Sequence, residues 1–102
     1  MADLQMRDHT DARHYEARDG TRVVAFIEYR QSGSVRLLTH TEVNEDMEGK
    51  GVGSALVRYA LEDIKGRGEQ VVPMCPFVAA FMQRHREYTD LVDPQRRSLF
   101  GL

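Results

Sequence analysis

The stretch that decides the fold is Val43-Asn44-Glu45-Asp46-Met47-Glu48-Gly49-Lys50-Gly51-Val52-Gly53-Ser54-Ala55-Leu56, in which three glycines alternate at the start of a helical pattern. From residue 52 to 65 the apolar residues recur at spacings of three and four: Val52, Ala55, Leu56, Tyr59, Ala60 and Ile64. This spacing predicts an amphipathic helix. The first N–H groups of a helix lack partners within it, and glycines let a ligand approach them closely. The stretch therefore predicts either an anion-binding turn or a bare sharp entry into the helix.

Three runs before the glycines predict β-strands, because they are rich in β-branched and aromatic residues; they span 13–18, 21–30 and 35–43. Asp19-Gly20 and the segment QSGS at 31–34 are turn signals that predict an antiparallel meander. Alternation along the third run predicts Leu38, His40 and Glu42 on one face, with the intervening residues 37, 39, 41 and 43 on the other.

After the first helix, which Gly66 and Gly68 end, residues 70–75 predict a fourth strand. Pro76 predicts the start of a second helix that continues to about His85, because proline is well tolerated at a first helical position. The predicted fold class is thus α/β (α+β) with a mixed sheet: three antiparallel strands, a glycine-rich turn, a helix, a parallel strand and a helix. Residues 88–92 predict one further short strand.

The chain has 102 residues, 41% hydrophobic and 29% charged, with a net charge of −2. This balance predicts one globular domain at 13–92, between a loose lead-in at 1–12 and a polar tail at 93–102. The absence of a long apolar run predicts a cytoplasmic protein with no membrane partner. The near-zero charge argues against a strongly basic nucleic-acid binder. Cys75, the single cysteine, excludes an internal disulfide and a multi-thiolate zinc site, and we predict no metal site.

The spacing GxGxG matches neither the dinucleotide fingerprint nor the P-loop. Together with the later segment PMCPFVAAFMQRHREY, however, the quoted stretch resembles the acetyl-CoA-binding segment of the GNAT superfamily of N-acetyltransferases. The likeness covers about residues 13–92 and is nearest to the short GNAT-like proteins of about one hundred residues. The resemblance implies a minimal GNAT-like fold whose two central parallel strands splay apart to admit the pantetheine arm. Pro73 agrees with such a splay, because a proline belongs where strand pairing is interrupted.

The resemblance implies acetyl-CoA or CoA as the cofactor. The residues that it implies for cofactor binding, with those that we add from their position, are Val43, Glu48, Gly49, Lys50, Gly51, Val52, Gly53, Ser54, Cys75, Arg84 and His85. Glu48 departs from the superfamily pattern, which usually has Gln or Arg at this position. With Glu45 and Asp46 it places three carboxylates near the expected pyrophosphate, and Lys50 offsets them in part.

Acetyl transfer from a thioester to an amine requires a neutral amine and a proton for the departing thiolate. Cys75 is a predicted catalytic residue because its thiol lies directly before Pro76, where a helix N-terminus favours the thiolate. It is suited to protonating the leaving thiol, to carrying the acetyl group, or to forming a mixed disulfide with CoA; a small buried hydrophobic role is the alternative. Many superfamily members use a tyrosine in the last helix for this protonation. Met82 stands at that position here, which leaves Cys75 or Tyr88 as substitutes.

His40 and Glu42 are the predicted general bases, since both lie on one face of the strand that borders the splay and imidazole exchanges protons near neutral pH. The alternatives are a hydrogen-bonded structural histidine and a solvated carboxylate. The leading hypothesis is an acetyl-CoA-dependent N-acetyltransferase acting on a primary amine, either a small amine or a protein lysine, as a monomer or homodimer. The others are a CoA-binding or acyl-CoA-sensing module with little activity, and a weak RNA- or protein-binding domain.

Overall fold

The computed structural model describes residues 4–102, which form a five-stranded mixed sheet with two α-helices. The strands are β1 (Gln5–His9), β2 (His14–Asp19), β3 (Arg22–Ser32), β4 (Val35–Val43) and β5 (Gln70–Pro73), and the helices are α1 (Val52–Gly66) and α2 (Pro76–Arg84). The strands lie in chain order; β1 to β4 are antiparallel neighbours, and β5 runs parallel to β4. The predicted fold class is confirmed, and the elements from β2 to α2 occur in the predicted order.

Helix α1 contacts all five strands, and α2 packs against α1, β4 and β5. The buried side of α1 differs in part from the predicted one: Ala55 and Tyr59 are exposed, whereas Val57 and Leu61 are fully buried. A helix that covers a twisted sheet buries a wide stripe, and these two residues widen it. Neither α-helix in residues 4–102 has the length and hydrophobicity that a bilayer crossing demands.

The N-terminal segment differs from the predicted loose lead-in. Its residues 1–3 lie outside the described range, but Gln5–His9 form the edge strand β1, which pairs with β2 over its whole length. The turn between them is a 3₁₀ segment at Thr10–Ala12, and Arg13 closes it with a left-handed φ of 56°. This strand has only five residues, and Met6 is the single apolar one among them, so its sequence carries little periodic signal. Pairing with β2 rather than the local sequence therefore determines it.

The C-terminal part also departs from the predictions. Residues 88–92 do not form a strand; residues 88–91 belong to a 3₁₀ segment at Arg86–Leu91, and a second one spans Pro94–Phe100. The Asp93 side chain accepts a hydrogen bond from the Gln95 N–H (3.0 Å) and so caps the second segment. The predicted polar tail is therefore ordered into 3₁₀ turns.

A β-bulge in β4 corrects the predicted strand faces. Leu38 is paired with buried Tyr29, and Thr41 with buried Ile27, whereas His40 is opposite exposed Glu28. The register shift between Glu28 and Tyr29 inserts one extra residue on β4, which reverses the alternation beyond it. Leu38 and Thr41 therefore share the face that α1 covers, and His40 lies on the opposite face.

A buried polar network joins β1 to β4 beneath α1. Arg36, only 7% exposed, donates from Nη1 to Asp8 Oδ2 (2.9 Å) and to the Tyr15 hydroxyl (2.8 Å). Its guanidinium carbon lies 4.3 Å from the centre of the Tyr29 ring. Burial, together with the hydrogen bond to Asp8, raises the pKa of Tyr29 to about 12. The network ties the N-terminal strand to the centre of the sheet.

Candidate active site

A cleft of about 510 Å³ opens where the glycine-rich turn enters α1. Its volume falls within the range of roughly 300–1,000 Å³ that small-molecule sites occupy. It is lined by the end of β4, the loop, the first turn of α1 and the start of α2: Thr41, Val43, Met47, Glu48, Gly49, Gly51, Val52, Gly53, Ser54 and Phe77. Seven of the eleven residues predicted for cofactor binding, 43, 48, 49 and 51–54, therefore lie together around one cleft.

The glycines perform different tasks in this turn. Gly49 and Gly51 both have a φ of +78°, a left-handed conformation that strains side-chain-bearing residues. Gly51 is the N-cap of α1, and within residues 4–102 no side chain caps this terminus. The N–H groups of the first turn are therefore left for another acceptor, and the helix dipole favours a negatively charged one.

Gly53 is required by close packing rather than by its φ. A Cβ atom on Gly53 would lie 2.9 Å from Phe77 Cζ and 3.1 Å from Val43 Cγ2. Both distances are tighter than ordinary van der Waals contact. This glycine therefore sets how closely α1 approaches the end of β4 and the start of α2, and with that the width of the cleft.

The acidic loop is partly neutralised. Asp46 accepts a hydrogen bond from Arg22 Nη2 (2.8 Å), and this hydrogen bond lowers the pKa of the Asp46 carboxyl below its usual value. Glu48 is exposed at the edge of the cleft, and Lys50, also exposed, does not line it. Of the three carboxylates near the turn, one is thus held by a cation from the β2–β3 hairpin.

The parallel strands separate beside the cleft. Their pairing begins at Val35 with Gln70 and stops at Leu38 with Pro73, whereas β4 continues to Val43. In the part of the chain that the structure describes, the edge of β4 that faces β5 has no strand partner beyond Leu38. Unpaired backbone N–H and C=O groups need another hydrogen-bonding partner, which a ligand in the gap can supply.

Cys75 closes the inner end of this gap. Its N–H donates to the Leu38 carbonyl (3.0 Å), and its thiol donates from Sγ to Thr41 Oγ1 (3.4 Å). Cys75 is the N-cap of α2, directly before Pro76 at the first helical position, and it is 6% exposed. The thiol does not itself line the cleft, but its hydrogen-bond partner Thr41 does.

His40 and Glu42 lie on the other side of the sheet from Cys75. His40 Nε2 is 2.9 Å from Glu42 Oε1, and the two side chains are 51% and 61% exposed. They form an imidazole–carboxylate pair and contact neither Cys75 nor the cleft. His40 nevertheless lies only two residues beyond Leu38, the last residue of β4 that pairs with β5.

The basic residues of α2 are not brought to the cleft. Arg84 ends the helix, opposite to the end at which Phe77 lines the cleft. His85 stacks on Phe81 at 4.1 Å and its Nδ1 is 3.2 Å from Arg58 Nη2. The prediction that Arg84 and His85 contact the cofactor is not supported by this placement, because helical spacing alone does not tell which end of α2 meets the turn.

Tyr88 is also held elsewhere. Its hydroxyl donates to Glu62 Oε2 (2.6 Å) and accepts from Arg58 Nη1 (3.0 Å). Burial and the hydrogen bond to Glu62 raise its pKa, which makes it a poorer proton donor. Met82 is fully buried in the core, so Cys75 is the remaining predicted proton donor near the cleft.

Three residues that line the cleft were not predicted from the sequence: Thr41, Met47 and Phe77. Phe77, which was not among the predicted cofactor-binding residues, is 40% exposed. One sequence feature could have indicated that Phe77 lines the cleft: it directly follows Pro76 in the first turn of α2. Residues in the first turn of a helix border any site that its N-terminus faces. Thr41 was not predicted because the bulge that turns it toward Cys75 has no local sequence mark.

The fold and the site define the class of protein as an N-acetyltransferase. Residues 14–91 match the family model of GCN5-related N-acetyl-transferases, and the chain belongs to that family. The fold is similar to the solution structure of a GCN5-like protein from Staphylococcus aureus, with a TM-score of 0.69, 21% identity and 91% of each chain covered.

A second solved structure, an IAA acetyltransferase from Bacillus cereus, matches 58% of this chain and 42% of its own at 28% identity, with a TM-score of 0.49. No protein of curated function matches the chain.

Proposed function

We propose that the protein transfers the acetyl group of acetyl-CoA to a primary amine. The observation that carries the proposal is the continuity of the cleft: the uncapped start of α1 and the unpaired edge of β4 adjoin each other, with Cys75 behind them. Such a site suits a CoA thioester. The start of α1 can bind its anionic pyrophosphate, and the unpaired edge of β4 can form hydrogen bonds with its pantetheine arm.

The pyrophosphate of CoA is assigned to the start of α1. The N–H groups of 51–54 supply donors that do not depend on side-chain identity, and the helix dipole adds favourable charge. Pairing of Asp46 with Arg22 reduces the repulsion from the loop. Lys50 is exposed beside the turn, and its positive charge favours a bound phosphate nearby.

The reacting thioester is assigned to the gap between β4 and β5. The unpaired backbone beyond Leu38 binds the pantetheine arm, and the attacking amine reaches the carbonyl carbon from the face that carries His40. His40, oriented by Glu42, accepts the proton of the amine. The C–N bond forms, the C–S bond breaks, and the Cys75 thiol gives its proton to the departing CoA thiolate.

Removal of the Cys75 thiol is expected to lower the rate of CoA release by about 10²–10⁴-fold, the usual contribution of a positioned acid. The release of free thiol from acetyl-CoA is followed with spermidine and with a lysine-containing peptide for the wild type, Cys75→Ala and His40→Gln. His85→Gln serves as the matched control, because His85 lies at the far end of α2. An unchanged kcat in Cys75→Ala would remove the role of Cys75, and an acetyl adduct in the intact mass would replace proton donation by acyl transfer through the thiol.

A CoA-binding module with little activity is the second candidate. It is favoured by the burial of Met82 and by the engagement of Tyr88 with Glu62, which leave one thiol as the proton donor. The same assay separates the two functions. Saturable binding of acetyl-CoA without thiol release for any amine would favour the binding module.

A further inference from the structure

The sheet face that α1 does not cover carries a cluster of possible metal ligands. His9 ends β1 and His14 begins β2, and the two are cross-strand partners. Glu16 follows two residues after His14, so it projects from the same face of β2. In residues 4–102 these three side chains offer one donor atom each within 4.8 Å of one another. The strand pairing of β1, which the sequence did not predict, is what brings them together.

The donor atoms are spaced for one small cation. Glu16 Oε1 lies 3.1 Å from His9 Nδ1 and 2.8 Å from His14 Nε2. A tetrahedral zinc ion with ligands at about 2.0–2.2 Å holds neighbouring donors roughly 3.3 Å apart. The two distances from Glu16 Oε1 lie within about 0.5 Å of this spacing, and the donor atoms of His9 and His14 lie within 4.8 Å of each other.

The ligand carboxylate is held in place by its second oxygen. Glu16 is 2% exposed, and its Oε2 lies 2.9 Å from Arg7 Nε and 3.7 Å from Arg18 Nε. Such outer contacts orient a carboxylate ligand and keep its other oxygen directed at the metal. The two guanidinium groups oppose a cation, but they lie on the Oε2 side. The Arg7 side chain is 49% exposed, so solvent screens its charge, whereas Arg18 Nε is buried and has no hydrogen-bond partner in residues 4–102.

The surroundings also define the site chemically. Phe26 stacks on the His14 ring at 5.4 Å and shields it on one side, whereas His9 is 35% exposed. One coordination position is thus open to water or to a ligand. Two imidazoles and one carboxylate match the preferences of Zn²⁺ and its neighbours rather than those of Mg²⁺ or Ca²⁺, which favour oxygen ligands.

We propose that His9, His14 and Glu16 form a binding site for one divalent transition-metal ion, with Zn²⁺ as the representative ion. Each coordinating nitrogen must be free of its proton, which in a neutral imidazole resides on the other ring nitrogen. The bound ion fastens the edge strand β1 to β2. The site is independent of the cleft, because none of its three residues lines it.

Titration of the full chain with ZnCl₂ by calorimetry tests the proposal, with MgCl₂ as the comparison salt. The expected stoichiometry is one Zn²⁺ per chain, and the melting temperature is expected to rise with Zn²⁺ but not with Mg²⁺. The affinity for Zn²⁺ is expected to fall more than about tenfold in His9→Gln and in His14→Gln. His40→Gln and Cys75→Ser are the matched controls and are expected to keep the wild-type affinity. Two results would contradict the proposal: no saturable binding of Zn²⁺, or binding that survives in the double variant His9→Gln/His14→Gln. Either would mean that the three side chains form a hydrogen-bonded cluster and not a metal site.

The wild type supplies a second readout that does not depend on the folding of any variant. Addition of Zn²⁺ is expected to shift the imidazole NMR signals of His9 and His14 and to leave those of His40 and His85 unchanged. Shifts centred on His40 or His85 would overturn the assignment.

Discussion

Replacing Gly51 by aspartate is expected to weaken CoA binding by at least about tenfold, or 1.4 kcal/mol. Gly51 is the N-cap of α1, and a Cβ atom there meets no atom within 4 Å, so the added side chain fits sterically. Its carboxylate would stand where we assign the pyrophosphate and would repel it. Calorimetric titration with CoA measures the loss.

Gly51→Asn is the matched control for this change. Asparagine has nearly the shape of aspartate and tolerates the left-handed φ of 78° equally well, but it carries no charge. Both variants therefore share the backbone strain and any obstruction of the turn, and the difference between them isolates the electrostatic effect. Equal affinities of the Asp and Asn variants would contradict a pyrophosphate site at the start of α1.

Replacing Arg36 by methionine is expected to lower the free energy of unfolding by about 3 kcal/mol. The change removes the hydrogen bonds from Arg36 to Asp8, Tyr15 and Gln31, and it leaves the Asp8 carboxylate, 8% exposed, without its nearest cation. Arg67 Nη2, at 3.3 Å from Asp8 Oδ2, compensates in part. Urea denaturation followed by circular dichroism measures the effect.

The double variant Asp8→Asn/Arg36→Met is the control. It removes the uncompensated charge, so it should be less destabilised than the sum of its two single variants, with a coupling of about 1–3 kcal/mol. Additive effects would show that the pair contributes nothing specific, and that β1 is held by its backbone pairing alone.

Most of the fold is predictable from the sequence because its elements carry strong local signals. Asp19-Gly20 marks the β2–β3 hairpin, and Pro76 marks the start of α2 at the observed position. The elements that were missed depend on distant partners. Strand β1 is determined by its ladder with β2 and by the contact of Asp8 with Arg36, neither of which is visible in the segment itself.

The candidate site likewise has features that the sequence predicts and features that depend on the tertiary structure. The glycine turn was predictable, since left-handed and closely packed positions demand glycine, and Gly51 and Gly53 occupy such positions. The face of His40 was not predictable, because one bulge residue reverses the alternation of β4. Tertiary packing determines which end of α2 borders the cleft, and the local sequence does not show it. For this reason Arg84, at the far end of the helix, was predicted to bind the cofactor, and Phe77 was not.

The most direct test of the central proposal is a CoA titration of the ¹⁵N-labelled wild type followed through backbone amide signals. Binding at the turn predicts the largest chemical-shift changes at Gly51, Gly53 and Ser54, with smaller ones at residues 41–43 along the gap and none at His9 or His14. Saturable binding that leaves the three turn amides unchanged, or no binding at millimolar CoA, would contradict the assignment of CoA to this cleft.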